Sequence, residues 1–298
     1  MPEIYTGDDE LDLSVVLPCY NEEQAIQQVV GEIRQALADW QGRWEILVVD
    51  DASSDRTVEL AEALRVRIVR RIENGGAGAS RKTGIAAARG ALIAMLDVDG
   101  TYVPAYLPEL LSYCSTYDQV NGARTSEQGT MKLLRTPAKW LIRKLAEWVS
   151  NRPIPDLNTG MKVFKRDLMR RYTWVIPDGF SCVTSMTLAF LCNGHPVKYV
   201  PVEYRPRIGK SKFHPLRDTA LYAATVMRVM MYFRPLRIFG PLASALFVIA
   251  LAKGFYSWRM SGTGTLQESD IILAVGAVIV LVLGLLADLI VAQRRATT

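Results

Sequence analysis

A chain of 298 residues, 50% of them hydrophobic, is long enough for one large core and something besides. Its four cysteines, Cys19, Cys114, Cys182 and Cys192, form no C-x-x-C pair; a cytosolic domain would keep them reduced, and they read as small core residues. The net charge of +5 is unevenly spread: residues 1–123 carry 10 Lys and Arg against 20 Asp and Glu, and the remainder carries 25 against 10. That distribution suits an anionic membrane surface and phosphate-bearing ligands; with no recognition motif for nucleic acid, it argues against nucleic acid as a partner.

The N-terminal stretch "MPEIYTGDDELD" is acidic, lacks an apolar segment, and is not expected to act as a signal peptide. The runs "LSVVLP" (13–18), "WEILVVD" (44–50), "VRIVRRI" (66–72) and "ALIAMLD" (91–97) read as strands, with helical patterns over 22–39, 55–65 and 78–89 between them. Strand and helix in alternation predict an α/β fold with a parallel sheet covered on both faces, whose ligands bind at the carboxyl ends of the strands. Every strand exit carries polar or glycine chemistry there: "CYNEE" (19–23), "DDASSD" (50–55), "ENGGAG" (73–78) and "DVDG" (97–100).

A helix at 104–117 and a strand at 118–124 come next, and the following region is less regular. "PAKWLIRKLAEWVS" (137–150) gathers Leu141, Leu145, Trp148 and Val149 on one helical face, and reads either as a core-packing helix or as one lying at a membrane interface. Over 214–233, Leu216, Ala220, Leu221, Ala224, Met227 and Met231 recur at helical spacing, the pattern of an interfacial helix. Residues 238–258 and 271–292 are each long and apolar enough for a hydrocarbon layer that takes ~20 residues of helix. Lys253 is expected to snorkel to the headgroups and Asp288 to reach interfacial water. Arg228, Arg234 and Arg237 precede the first span, and Arg294 and Arg295 follow the second, so both termini and the polar domain are expected in the cytosol, with the chain a multi-pass protein of the cytoplasmic membrane.

Asp97 and Asp99 share one side of an extended strand end. Two such anions repel unless a cation lies between them, and a hard divalent ion shared with substrate phosphates is the usual remedy. "DDASSD" can hold a nucleotide through its acids or cap a helix through Ser53 or Asp55. "NGGAGASRKTG" (74–84) is a glycine-rich loop opening a helix, which lets backbone N–H groups approach a phosphate, though it matches neither a Walker A nor a dinucleotide fingerprint. "RPRIGKSKF" (205–213) places four cations in nine residues, as a loop gripping a diphosphate or a strip touching anionic lipid would. His195 and His214 lie outside these motifs and neither is expected to be catalytic. An acceptor that is already a phosphate anion needs no base, so cations and positioning suffice.

Taken in order, "PCYNEE", "VVDDASSDRT", "NGGAGASRKTGIAAARG", "LDVDGTY", "DLNTGMKVFKRD" and "RPRIGKSKF" resemble the polyprenyl-phosphate glycosyltransferases, the family 2, GT-A fold enzymes that include dolichol-phosphate mannose and glucose synthases. The resemblance covers roughly residues 13–213, and the two C-terminal spans match the two-helix bacterial type. It implies inverting transfer of a sugar from a nucleotide-diphosphate sugar, a UDP-sugar in preference to GDP-mannose, to an undecaprenyl or dolichyl type of polyprenyl phosphate. It implies a nucleotide site of Pro18, Tyr20, Glu22, Asp50, Asp51, Gly78, Lys82 and Asp97, with Asp97 and Asp99 holding Mg²⁺ or Mn²⁺. Arg124, Arg135, Asn158, Thr159 and Ser211 would meet the acceptor phosphate, and Asp99, Arg124, Arg207 and Lys212 would carry the catalysis. The implied organisation is a GT-A domain over 1–213, an amphipathic interfacial helix over 214–235 and a two-helix membrane domain over 236–298, an architecture compatible with a homo-oligomer. Two positions depart from the family pattern: Thr101 stands where many members have Gln, and Lys82 where they have Arg, keeping the charge and losing the bidentate fork. The alternatives are a processive polysaccharide synthase, whose Q-x-x-R-W motif "QGRW" (41–44) does not match in spacing, and a non-catalytic membrane protein that binds nucleotide sugars.

Overall fold

The computed structural model describes residues 11–125, 132–179, 181–208, 215–260, 265 and 267–296. Contacts divide the chain into two units, Met1–Val226 and Met227–Thr298. The first is built on a seven-stranded sheet in the order β3-β2-β1-β4-β6-β5-β7. Its left half is the predicted repeat: β1 (Leu11–Cys19), α1 (Ile26–Ala36), β2 (Trp44–Asp50), α2 (Thr57–Ala63), β3 (Arg67–Arg70), α3 (Ala77–Ala87) and β4 (Gly90–Met95). These four strands run parallel, and the centre of β1 is buried on both faces, as a strand with helices above and below must be. α1 buries Ile26, Val29, Val30 and Ile33, one stripe at helical spacing, against Leu13, Val15 and Leu17.

After α4 (Leu107–Ser112), β5 (Gln119–Arg124), α5 (Lys132–Ser150), β6 (Lys162–Lys165), α6 (Arg166–Arg171), α7 (Cys182–Cys192) and β7 (Val197–Val202), the sheet is complete. β6 runs antiparallel between β4 and β5, with Met95 opposite Lys162 and Lys162 opposite Asn121. This reversal positions the site, because the end of β4, the loop entering β6 and the end of β5 then meet on one rim. α7 is buried along its whole length and covers the face opposite α1 together with α3.

On α5, Ile142, Ala146 and Val149 are buried whereas Trp140 and Trp148 are exposed. Trp148 and Val149 were expected on one face; neighbouring residues lie about 100° apart around a helix, and the core takes only Val149. The expected interfacial stripe of α8 (Pro215–Phe233) leaves Ala224, Met227 and Met231 exposed while Val226, Val229 and Met230 are buried. The division between the units falls inside this helix.

In the second unit, α9 (Leu236–Met260) and α10 (Glu268–Ala296) form a hairpin, and both are long and apolar enough to cross a membrane. Only 17% of each apolar window is buried, which separates them from core helices of a soluble domain. Lys253 does not simply reach outward: its Nζ pairs with Asp270 at 3.0 Å and meets Ser269, so the charge is neutralised within the hairpin.

Candidate active site

The loops leaving β1 and β2 interlock. Asn21 N–H donates to Ser53 Oγ (3.0 Å), Ser54 N–H to Asn21 Oδ1 (2.8 Å), and Glu22 N–H to Thr57 Oγ1 (2.8 Å). Pro18, Tyr20 and Glu22 line this edge half-buried. Burial works against the charge of Asp55, but hydrogen bonds from Thr57 and Glu23 outweigh it and hold its carboxyl below the ordinary Asp value. Asp50 accepts Ser53 N–H at 3.2 Å. Asp51 is filled from within, by Arg71 Nε (2.7 Å), Gly75 N–H (3.1 Å) and Gly76 N–H (2.8 Å), so it pins the glycine loop to the end of β2.

Two expectations for the glycine loop meet a different geometry. Gly78 N–H donates to Asp178 O at 2.7 Å, and a Cβ there would run into the carbonyl of Pro177, so its glycine is demanded by the close approach of the 177–178 segment. Lys82 Nζ pairs with Asp178 at 2.6 Å. The cation that turns inward is Arg81, 4% exposed, which grips Asp97 and donates to Cys182 Sγ at 3.4 Å. Arg81 was not singled out in the sequence, although it directly precedes Lys82.

Asp97 and Asp99 leave β4 together. Asp97 lies between Arg81 and the backbone of Gly160. Asp99 is 5% exposed and accepts both the hydroxyl (2.5 Å) and the N–H (3.1 Å) of Thr101 on Oδ1. Burial first, and then the charge of Asp97, push the Asp99 carboxyl up; Thr101 and Arg207 pull the other way. Gly100 has φ +74°, a left-handed turn that opens room for the side chain of Ile208.

Over this turn lies the segment from Tyr204 to Ile208. Arg205 N–H donates to Thr101 O (2.8 Å), Ile208 N–H to Asp99 O (2.9 Å), and Tyr102 bridges to Tyr204. The Arg205 guanidinium is anchored on Glu32 at 3.1 Å. Arg207 reaches Asp99 Oδ2 at 3.5 Å and Glu22 Oε1 at 3.4 Å, so the basic segment and the acidic rim meet as their charges require. Ser211 and Lys212 lie outside the described residues, as does the side chain of Arg135.

Arg124, at the end of β5, clasps Asp156 with Nε (2.7 Å) and Nη2 (2.9 Å) and stacks over the Tyr204 ring at 5.3 Å. Asn158 stands beside this pair, its N–H on Asp156 Oδ1 (3.1 Å) and its Oδ1 facing Thr184 Oγ1 (3.4 Å). Thr159 is fully buried and its hydroxyl donates to Gly122 O at 2.5 Å, which fixes the loop. His195 is held by Asp118 (2.9 Å) and Tyr172 (2.9 Å) at the opposite end of β5, away from the rim.

The donor set at the β4 exit is hard oxygen: two mutually repelling carboxylates and the Thr101 hydroxyl. No cluster of three His, Cys, Asp or Glu forms a ready cage among the described residues. Such a set suits Mg²⁺ or Mn²⁺ when oxygens of a bound diphosphate complete the coordination.

The model of "Glycosyl transferase family 2" matches residues 14–173, and that of "GtrB C-terminal hairpin" matches residues 234–292. Among curated relatives, a dolichyl-phosphate hexose transferase of Haloferax volcanii is 32% identical over 227 residues, covering 76% of this chain and 95% of its own. A dodecaprenyl-phosphate galacturonate synthase of Rhizobium johnstonii is 26% identical, covering 94% of this chain and 88% of its own. Among solved structures, glucosyl-3-phosphoglycerate synthase from Mycobacterium tuberculosis, in complex with Mn²⁺, UDP-glucose and phosphoglyceric acid, aligns with a TM-score of 0.56 at 20% identity. That alignment covers 74% of this chain and 79% of the other, and supports the GT-A type of fold.

Proposed function

The chain belongs to glycosyl transferase family 2, and from that premise we propose that it transfers a sugar, with inversion, from a nucleoside-diphosphate donor to a polyprenyl monophosphate at the cytosolic face of a membrane. The observation that carries this reading is the meeting of two regions on one rim: the carboxylates Asp97 and Asp99, with Arg207 against Asp99, and the Arg124–Asp156 pair beside Asn158. The first region, with Pro18, Tyr20, Glu22 and Asp50, would take the nucleotide diphosphate; the second, where Arg124 can turn to an incoming anion, would take the acceptor. Names of the relatives favour the same acceptor: dolichyl phosphate in one, dodecaprenyl phosphate in the other. A UDP-sugar is the preferred donor. Residues 1–213 form the transferase domain, 214–235 the interfacial helix and 236–298 the anchor.

In the reaction an acceptor phosphate oxygen attacks the anomeric carbon in line while the bond to the donor diphosphate breaks, which inverts the centre and releases the nucleoside diphosphate. The attacking oxygen is already anionic, so no side-chain base is needed, in keeping with the distance of His195 from the rim. Arg124 orients the acceptor phosphate, and Arg207, with Lys212 of the same basic segment, steadies the departing diphosphate. A Mg²⁺ or Mn²⁺ held by Asp97 and Asp99 would supply charge neutralisation on the diphosphate. Arg207 already touches both acids that border this space, Glu22 and Asp99.

The test is a panel of radiolabelled UDP- and GDP-sugars offered with undecaprenyl phosphate and Mg²⁺ or Mn²⁺, comparing the protein with its Asp99→Ala variant. At least one donor is expected to label a lipid product in the unaltered protein, and the variant to lose at least about 10²-fold. Absence of any lipid product with every donor and metal would sink the proposed reaction. Equal labelling by the variant would remove Asp99 from it.

A further inference from the structure

β6 opens with Lys162, opposite Met95 of β4 and Asn121 of β5, and its side chain runs under α7. It is 1% exposed. Its Nζ donates to Thr187 Oγ1 at 2.8 Å, and no carboxylate among the described residues pairs with it. An ammonium carries three donors, and a buried one is ordinarily paired with an anion. The charges nearest to it are already matched: Arg81 holds Asp97, and Arg124 clasps Asp156. Lys162 is therefore one positive charge in excess, enclosed between two completed ion pairs.

Its position relative to the rim follows from α7. Thr187, which receives Lys162, stands one turn beyond Thr184, which faces Asn158 Oδ1 and Leu157 O at 3.4 Å. Gln119 donates to both Asn121 Oδ1 (2.7 Å) and Thr187 Oγ1 (3.2 Å), so the hydroxyl that supports Lys162 is itself fixed. The Asp156–Gly160 loop thus has Arg124 on its open side and Lys162 behind it.

We infer that Lys162 is a positioning residue for the acceptor phosphate: its ammonium is the spare charge behind the Asp156–Gly160 loop, balanced only when a phosphate anion settles beside Arg124 and Asn158. This rests on the reaction proposed above. The groups facing Lys162 are Arg81 from α3, Cys182 and Thr187 from α7, Gln119, Asn121 and Arg124 from β5, and Asp156 from the loop, while Met95 from β4 is apolar. Burial drives the Lys162 amine down to about 7; Asp156 opposes that, and Arg81 and Arg124 add to it. With Asp156 as the one anion facing it among the described residues, and that anion already paired with Arg124, the amine loses its proton near neutral pH. A bound phosphate restores the proton's favourable partner, so binding and proton uptake from the buffer are two views of one coupling.

The test uses the full chain in lipid nanodiscs, with geranyl phosphate as probe. Calorimetric titration in buffers of different ionisation enthalpy reads the protons taken up, and steady-state assays give the acceptor KM at pH 6 and pH 8. Lys162→Met is expected to abolish the uptake at pH 7 that exceeds the phosphate's own, and to raise acceptor KM at pH 6 about 10-fold with kcat within about twofold. Lys162→Arg, whose guanidinium stays charged, is expected to keep a low KM at both pH values. The unaltered protein moves from the Lys162→Arg behaviour at pH 6 toward the Lys162→Met behaviour at pH 8, losing affinity relative to Lys162→Arg as pH rises through about 7. Second ionisation of the phosphate monoester is common to all three and cancels in the comparison. UDP affinity should be unchanged by either variant.

Proton uptake and pH dependence in Lys162→Met equal to those of the unaltered protein would overturn the inference alone. If Lys162→Met fails to fold, as read by near-UV circular dichroism, Lys162→Arg decides, and a pH dependence matching the unaltered protein overturns it equally. If the unaltered protein neither binds geranyl phosphate nor transfers any sugar, the proposed reaction falls and the inference with it.

Discussion

Gly160 shows how tightly the rim is set. A Cβ at that position would fall on Oδ2 of Asp97, whose Oδ1 is gripped by Arg81, so Asp97 is wedged between a guanidinium and a bare backbone. The Asn-Thr-Gly triplet is thus glycine at its third place for the benefit of a carboxylate 63 residues earlier in the chain. Gly160→Ala is expected to displace Asp97 rather than to unfold the sheet. Transferase activity should fall about 10²-fold, the scale of a displacement of about 1 Å in a catalytic group, with the melting temperature little changed. Thermal melts and initial rates on the same preparation check this; a loss of activity matched by a collapse in stability would assign Gly160 to folding instead. At Thr101 the departure from the family pattern has a structural counterpart: the hydroxyl lies against Asp99 Oδ1, so an oxygen is present where the longer Gln side chain is usual.

At the scale of elements, the left half of the sheet was legible because its strands are continuous apolar runs and its helices keep a 3.6-residue period. Of the right half only β5 was, as the strand read at 118–124. β6 has four residues, two of them lysines, and β7 contains Pro201, so neither shows a strand signal of its own. α7 is buried on every side and therefore has no polar face to reveal a helical period. The site divides in the same way. Rim acids and the basic segment could be read from motif order, but Arg81 is set by the packing of α3 on the sheet, and Asp156 and Lys162 are brought beside the rim by a reversal of strand direction, all of them tertiary facts. One consequence of that reversal is the corner where Asp118, just before β5, binds Lys165 of β6 (2.6 Å) and His195 beyond α7 (2.9 Å). Burial raises the Asp118 carboxyl, yet the hydrogen bonds from Lys165 and His195 outweigh it and hold the pKa below the ordinary value. A depressed carboxyl contributes stability above its unfolded pKa of about 3.9, and loses it as pH falls through the folded value. Asp118→Asn should therefore lower the melting temperature at pH 7, with the gap to the unaltered protein closing as pH drops below about 4. A gap constant from pH 7 to pH 3 would mean that the charge of Asp118 contributes nothing.

Across the whole molecule, charge and apolar surface divide the labour. The acidic N-terminal stretch builds a rim that needs cations, and the basic remainder leads into a hairpin whose surface is mostly apolar side chains. Within that hairpin the one Lys of α9 is matched by Asp270, so neither helix presents an unbalanced ammonium to a hydrocarbon layer. On the proposed reaction, the arginines before α9 and at the end of α10 would lie on the side where the transferase domain meets its donor. The four native cysteines are all buried in the first unit, which makes this orientation directly measurable. A cysteine introduced as Gln267→Cys, at an exposed position just before α10, is expected to react with a membrane-impermeant maleimide in intact cells. One introduced as Arg294→Cys should react only after the membrane is opened, and the unaltered protein should remain unlabelled in both conditions. Labelling of position 294 in intact cells, with position 267 protected, would place the rim on the side away from nucleotide sugars and defeat the proposed reaction on topology alone.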